Sequence, residues 1–230
     1  MSTPAPLCEI DRLSPSRRPP RSVAGYHHWS DLLFVHWRVP ADAVSPLLPP
    51  GLTLDTREGE AWVGLVLFEM SGVRPWWSPS VPGISRFLET NVRTYVHREG
   101  RDPGVWFFSL EAARWLAVKL ARWGWHLPYH FADMQLSWSG RQVEYRSCRR
   151  ERNSPPGTSH VMAEVGAALD NGGHARPGTL DHFLIERYYL YAHSPRGRLY
   201  RGQVHHTSYP LQEARLISCN ETLLAASGIA

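Results

Sequence analysis

Hydrophobic and polar side chains alternate in many short segments of the chain, and turn-forming residues separate these segments. A period of two is typical of strands with one buried face, whereas a continuous apolar run such as 61–68 is typical of a strand buried on both faces. The predicted single strands are 32–37, 52–55, 61–68, 88–97 and 105–108, and the predicted hairpins are 134–147 and 188–205. This pattern predicts a mainly β protein with a few helices, built on an antiparallel sheet or barrel.

One segment, 110–123, instead has the periodicity of an amphipathic helix. Gly124 is expected to end this helix, and Thr179 is expected to cap a second, shorter one. The apolar stripe of the first helix, through which we expect it to pack on the sheet, contains Leu110, Ala113, Leu116, Ala117 and Leu120.

The chain length and composition indicate one globular domain. Its 230 residues include 43% hydrophobic and 20% charged residues, which excludes a disordered chain. The longest apolar stretch, 62–68, is far shorter than the ~20 residues of a membrane span. We expect a disordered tail over 1–22, where prolines and arginines alternate, one barrel domain over 23–218, and a frayed tail over 219–230. The N-terminus does not have the pattern of a signal peptide.

Charge and cysteine content limit the classes of partner. The net charge is +4, and Lys119 is the only lysine, so nearly all cations are arginines. No zinc-finger or RNA-binding signature accompanies them, so we expect no nucleic acid partner. Because no segment is long and apolar enough to span a membrane, we expect no membrane partner either. The three cysteines are scattered and odd in number, which favours a reducing, cytoplasmic location over a disulfide framework.

The segment 88–97 carries the strongest candidate site. Side chains alternate along a strand, so one face is suited to packing and the other carries Glu89, Asn91, Arg93, Tyr95 and His97. An acid, an amide, a cation and a phenol in one row could line a polar pocket and position a carboxylate or carbonyl compound. The alternative is a half-buried strand whose polar face meets solvent.

Lysine and histidine provide weaker candidates. Lys119 could be a Schiff-base nucleophile, but it lies outside the apolar stripe, which favours a solvated position. The pairs 27–28 and 205–206 are adjacent histidines, and adjacent side chains on a strand point in opposite directions. We therefore expect no metal site, and the absence of phosphate- and dinucleotide-binding glycine patterns indicates no cofactor.

Several ordered segments resemble the YqjF-like family of uncharacterised proteins. They occur in order between residues 26 and 215, and the most distinctive are 29–37, 48–52, 61–64, 89–96, 107–111, 127–129, 186–188 and 204–206. That family is distantly similar to acetoacetate decarboxylase. The resemblance implies a cone-shaped antiparallel β-barrel that encloses a small-molecule pocket, with short helices packed outside.

The decarboxylase mechanism carries over only in part. In that enzyme one lysine forms a Schiff base, an adjacent lysine lowers its pKa, and a glutamate and an arginine line the pocket. Glu89 lies in the strand that matches the glutamate. The lysine pair maps onto 111–122, where Val118 precedes Lys119, and no arginine occurs over 23–34. If the protein is an enzyme, the resemblance therefore implies a decarboxylase-like lyase that uses acid–base chemistry without a Schiff-base lysine.

The leading hypothesis is a barrel that binds a small organic molecule with a carboxylate or carbonyl group. Arg93 would anchor the anion, Asn91 and Tyr95 would orient it, and Glu89, kept ionised by Arg93, would act as the catalytic acid or base. The candidates for an apolar wall or lid are Trp62, Trp76, Trp77 and Tyr129. A non-catalytic binding or sensing protein, an interaction protein with an arginine surface, and a homo-oligomer all stay open.

Overall fold

The computed structural model describes residues 10–151, 153–169 and 173–229. Its strands are β1 (Gly25–Val39), β2 (Thr53–Leu54), β3 (Ala61–Pro75), β4 (Phe87–Arg98), β5 (Arg101–Ala112), β6 (Tyr129–Ser139), β7 (Gln142–Arg149), β8 (Thr158–Ala168), β9 (Tyr189–His193), β10 (Leu199–Gln203) and β11 (Gln212–Glu221). Its helices are α1 (Ala41–Val44), α2 (Trp115–Trp125), α3 (Leu180–Ile185) and α4 (Leu223–Ala226), with 3-10 turns at Ser14–Ser16 and Ser45–Leu47. In the described part of the chain, no helix is long and apolar enough to cross a membrane.

The strands form one curled sheet with the shape of a half-barrel. The order along the sheet is β1-β3-β4-β5-β6-β7-β8-β11, with β2 beside β4, and β9 joins β5 and carries β10. Neighbouring strands are antiparallel except for β5 with β6 and β5 with β9, which are parallel. The first parallel pair is possible because α2 carries the chain back between the two strands. The prediction of a mainly β protein with a few short helices is confirmed.

The main core lies on one face of β3 and β4, where the curled sheet packs against β7 and β8. Leu65 and Val92 lie in this core with Tyr145 and Val161. The opposite face of β4 is covered as well, by one apolar cluster that includes α2 and another that includes α3. Because both faces are covered, every residue from Glu89 to Val96 is buried. A central strand between two layers can therefore carry polar side chains that do not meet bulk water.

A buried ion pair joins the two halves of the sheet. Glu111 on β5 receives two hydrogen bonds from Arg149 on β7, from Nη2 to Oε1 at 2.6 Å and from Nε to Oε2 at 3.1 Å. Both side chains are almost completely shielded from solvent. The two-point contact fixes how β7 lies across β5, because a guanidinium matches a carboxylate in one planar arrangement.

The predicted packing of the 110–123 helix is wrong. Residues 110–112 belong to β5, and the helix runs from Trp115 to Trp125. It packs through Val118 and Ala121, whereas Leu116 and Leu120 are exposed. The buried side of the helix was predicted wrongly because the helical wheel was drawn over 110–123, although residues 110–112 are extended. The helix also continues past Gly124 and ends at His126, which adopts the left-handed conformation.

Both predicted tails differ from the structure over their described parts. Residues 1–9 lie outside the described residues, but Arg12 forms an ion pair with Asp55, and Pro15 is buried. At the other end, β11 continues to Glu221 and α4 follows it, and Leu223 is fully buried in the main core. The segment 219–229 is therefore part of the domain, because one small helix covers the end of the core.

Candidate functional site

The four predicted site residues lie in one row on the α2- and α3-covered face of β4. Glu89, Asn91, Arg93 and Tyr95 are all buried, and His97 beyond them is partly exposed. The row does not meet bulk solvent, because α2 and α3 cover this face. The row divides into two groups, one around Glu89 and one around Arg93.

Glu89 lies beside a second titratable group. Tyr129, at the start of β6, donates its hydroxyl to Oε2 of Glu89 at 2.8 Å. Burial raises the pKa of Glu89 to about 7, although the hydrogen bonds from Tyr129 and Asn91 favour the charged form. Burial, together with the charge of Glu89, also raises the pKa of Tyr129 well above its ordinary value. The pair can therefore hold or release a proton near neutral pH.

The expected ion pair between Glu89 and Arg93 is not present. Nη2 of Arg93 donates to the carbonyl oxygen of Leu184 at 2.9 Å, and it lies 3.4 Å from the hydroxyl of Tyr95. Among the described residues, no carboxylate oxygen lies within 4.0 Å of Arg93, and its Nε has no hydrogen-bond partner. The prediction that Arg93 keeps Glu89 ionised is wrong. The guanidinium of Arg93 points towards α3, and burial therefore dominates the pKa of Glu89.

His36 of β1 completes the group around Arg93. Its Nε2 lies 2.7 Å from the hydroxyl of Tyr95, and that hydroxyl donates to the carbonyl oxygen of Leu184 at 2.7 Å. The tyrosine oxygen therefore accepts from Nε2 of His36. Burial, assisted by Arg93, lowers the pKa of His36 to about 3, so the imidazole is neutral at physiological pH. Gly64 leaves room for this imidazole, because a Cβ at position 64 would lie 2.9 Å from Nε2.

More positive charge surrounds Tyr95. Nη1 of Arg187 lies 2.7 Å from Oδ2 of Asp55, which also pairs with Arg12. The guanidinium of Arg187 lies 5.0 Å from the ring centre of Tyr95, and its Nη2 has no partner among the described residues. Burial lowers the pKa of Arg187, and the charge of Asp55 opposes this effect. Asp55 therefore pairs with two arginines but not with Arg93. A second buried carboxylate, Glu186, accepts hydrogen bonds from the hydroxyl of Tyr188 and the backbone N–H of Tyr209.

Aromatic rings extend from this cationic group towards the solvent. Phe34 lies 5.5 Å from the guanidinium carbon of Arg93, and Tyr209 lies 5.8 Å from Phe34. The next rings are His206, at 4.6 Å from Tyr209, and Trp29, at 5.7 Å from His206. Sequence reasoning did not predict this group of aromatic rings, because the segment 204–211, which supplies His206 and Tyr209, has no strand or helix pattern.

The aromatic residues predicted as a wall or lid lie elsewhere, with one exception. Tyr129 is part of the site, but as the partner of Glu89. Trp76 and Trp77 are exposed on a loop, and Trp62 packs on the apolar cluster that includes Tyr95 and α3. Lys119 is exposed on the outer side of α2.

An open cleft of about 830 Å³ lies on the other side of the sheet. Leu88, Met134 and Ser147 line it, where β6 diverges from β4 and β5. Leu88 points to the face opposite Glu89, and none of the four row residues lines the cleft. The enclosed cavity that the sequence predicts beside the row stays a prediction.

Within 10–151, 153–169 and 173–229, no three His, Cys, Asp or Glu side chains lie close enough together to hold a metal ion. The predicted adjacent histidines have other contacts: His27 lies 4.9 Å from the ring of Trp29, and His206 stacks on Tyr188 at 4.4 Å. Both imidazoles take part in aromatic packing.

The curled sheet is an acetoacetate decarboxylase-like fold. It aligns with an acetoacetate decarboxylase-like enzyme from Sphingomonas wittichii RW1 at a TM-score of 0.53 and 17% identity, over 83% of this chain and 71% of that one. It aligns with acetoacetate decarboxylase from Legionella pneumophila at a TM-score of 0.51 and 13% identity, over 87% and 79%. At this identity the likeness shows the fold alone.

The sequence identifies the family. Residues 26–230 match the model of the DUF2071 family of uncharacterized conserved proteins, and the chain belongs to that family. It is 38% identical to the uncharacterized protein YqjF of Bacillus subtilis (strain 168) over 201 residues, which are 87% of this chain and 80% of YqjF. The resemblance found in the sequence motifs is thereby confirmed.

Proposed function

We propose that this protein binds a small organic anion on the row face of β4, with Arg93 as its anchor. The observation that carries the proposal is that the buried guanidinium of Arg93 forms no ion pair with any described residue. A buried cation without a counter-ion is costly, and a single neutral carbonyl offsets only part of that cost. A ligand carboxylate would supply the missing charge and could accept a hydrogen bond from the free Nε.

The surroundings of Arg93 favour a ligand with a carboxylate and an apolar body. His36 is neutral, so it adds no competing positive charge and keeps its hydrogen bond to Tyr95. Nη2 of Arg187, which has no hydrogen-bond partner in the described part of the chain, provides a second donor. Phe34 and Tyr209 offer ring faces next to the guanidinium, suited to carbon atoms of a ligand.

Glu89 is the acid–base group of the proposed site. A carboxyl with a pKa of about 7 is partly protonated at neutral pH and can give or take a proton in the same reaction. Tyr129 donates to one carboxyl oxygen of Glu89, and Asn91 is the other hydrogen-bond partner of this carboxyl. The Oδ1 atom of Asn91 has no partner among the described residues. The presence of a second titratable group beside Glu89 favours an enzyme over the non-catalytic binding protein.

The spacing along the strand limits the ligand. Glu89 and Arg93 are four residues apart, so their Cα atoms lie roughly 13 Å from each other. A carboxylate held by Arg93 is therefore not the group that reacts at Glu89. The atom that exchanges a proton with Glu89 would be a carbonyl oxygen, or the carbon next to that carbonyl, several bonds along the ligand.

Thermal shift with keto acids of different length tests the anchor. Levulinate, which separates its carboxylate and ketone by one carbon more than acetoacetate does, should raise the melting temperature more. Arg93→Ala should weaken binding by about 2–5 kcal/mol, because it removes the partner of a buried anion. Arg146→Ala, in which an exposed arginine is removed, is the matched control. Equal shifts in the wild type and Arg93→Ala would refute the anchoring role.

The variant Glu89→Gln distinguishes the hypothesis of an enzyme from that of a non-catalytic binding protein. The amide keeps the shape and can still accept from Tyr129, but it has no titratable proton. If the protein is an enzyme, this variant should bind the same keto acid and lose turnover, measured as substrate loss by NMR. Binding without any turnover in the wild type would favour the sensing or sequestering protein.

We also propose that the protein works in a reducing, cytoplasmic compartment. In the part of the chain that the structure describes, Cys148 and Cys219 are free thiols. Two unpaired cysteines are typical of proteins kept in a reducing environment.

A further inference from the structure

Helix α2 presents an apolar face to solvent. Leu116, Leu120 and Trp123 are 43%, 59% and 84% exposed, and Trp115 at the start of the helix is exposed as well. At 100° per residue these four side chains and Lys119 fall within about 140° of one another, on the side away from the sheet. Contiguous exposed apolar side chains of this size mark an interaction surface.

This face cannot turn inward. Val118 and Ala121, on the opposite side of α2, lie in the apolar cluster that contains Phe87 and Leu127. Arg122 also ties the helix to β6, because its side chain donates to the backbone oxygen of Tyr129 and pairs with Glu151 at 2.6 Å. The exposed face is therefore a fixed feature of the folded domain.

The charge on the exposed face is positive. Lys119 lies among the apolar side chains, with its Nζ 5.4 Å from the ring centre of Trp115. The sequence contains no Asp or Glu from residue 113 to residue 132. The positive charge of Arg122 is balanced by Glu151, but the exposed face itself carries no acid.

We propose that this face of α2 docks the protein on an anionic lipid surface. Tryptophan rings are suited to the headgroup region, leucines to the acyl boundary, and lysine to anionic headgroups. A second copy fits less well, because a two-fold contact through α2 would bring Lys119 against the same cation of the other copy. The sequence-based expectation of no membrane partner rests on the lack of a membrane-spanning segment, and an interfacial helix needs none.

Vesicle co-sedimentation tests the proposal. The wild-type protein should bind vesicles of phosphatidylglycerol and phosphatidylcholine more tightly than vesicles of phosphatidylcholine alone, and added salt should weaken this binding. Trp123→Ser should reduce binding at least about tenfold, because one large apolar side chain is removed from the interface. Lys119→Gln should reduce it roughly fivefold, and only on anionic vesicles.

Trp138→Ser provides the matched control. Trp138 is 48% exposed on β6, away from α2, so its removal should leave vesicle binding unchanged. Sedimentation equilibrium of the same proteins tests whether a second copy of the chain covers this face of α2 instead. Equal binding to both kinds of vesicle, or unchanged binding by Trp123→Ser, would overturn the proposal. A dimer that Trp123→Ser dissociates, without vesicle binding, would overturn it in favour of a second copy.

Discussion

The pH dependence of stability tests the buried state of Glu89 without a ligand. Burial raises the pKa of Glu89 from 4.5 to about 7 in the folded protein. Below pH 4.5 the carboxyl is protonated in both the folded and the unfolded state. As the pH rises, the unfolded chain releases this proton first. The contribution of Glu89 to the free energy of unfolding therefore falls until about pH 7 and then stays constant.

The size of this loss follows from the pKa difference. One pKa unit corresponds to roughly 1.4 kcal/mol, so a rise from 4.5 to about 7 corresponds to about 3 kcal/mol. Glu89→Gln removes this contribution, because the amide is neutral at every pH. The variant should therefore gain about 3 kcal/mol relative to the wild type between pH 4.5 and pH 7.

Urea denaturation of both proteins over this pH range measures the difference directly. Histidines such as His36 titrate in both proteins, so their contributions cancel when the two free energies of unfolding are subtracted. Leu216→Ala, at an exposed position on β11, changes no titratable group and is the control, so its difference from the wild type should be independent of pH. A difference for Glu89→Gln that is equally flat would refute the argument that desolvation dominates the Glu89 carboxyl.

Two further predictions concern stability. Glu111→Gln should cost about 3–5 kcal/mol in urea denaturation, because it leaves Arg149 buried and uncompensated, and a second change, Arg149→Met, should recover most of that loss. Leu223→Ala should cost about 2–5 kcal/mol, because its side chain is fully buried in the main core despite its place near the C-terminus. The control is Leu216→Ala at an exposed position on β11, which should change the free energy of unfolding by less than about 0.5 kcal/mol. An equally small effect of Leu223→Ala would mean that the C-terminal segment is frayed.

Local patterns in the sequence were sufficient for β4 and for the two hairpins, whereas β8 was not predicted. The alternation over 88–97 predicted β4 and placed Glu89, Asn91, Arg93 and Tyr95 on one face, because side-chain direction in a strand depends only on residue parity. Thr179 was predicted to cap a helix, and its side chain accepts from the backbone N–H of His182 in α3. Such features depend on neighbours within a few residues, so a single sequence contains them.

Strand β11 is different, because its pairing partner decides its structure. Most of its residues are exposed, so it lacks the alternating burial that a period-two pattern needs. It forms because β8 offers backbone hydrogen bonds along Ser159–Val165. The error over α2 has a related cause: a helical wheel assumes that the whole segment is helical, whereas the pairing with β4 extends residues 110–112.

The partners of the site residues were decided by the tertiary structure. Arg93 donates to a carbonyl 91 positions along the chain, Tyr95 accepts from a histidine 59 positions away, and Glu89 accepts from a tyrosine 40 positions away. The sequence placed Glu89 and Arg93 on one face of one strand, which suggested an ion pair. The folded chain separates their charges, because α3 brings the Leu184 carbonyl to Arg93 while the apolar cluster around α2 encloses Glu89. Burial and long-range contacts, which no local pattern records, therefore determine the protonation states on which the proposed chemistry depends.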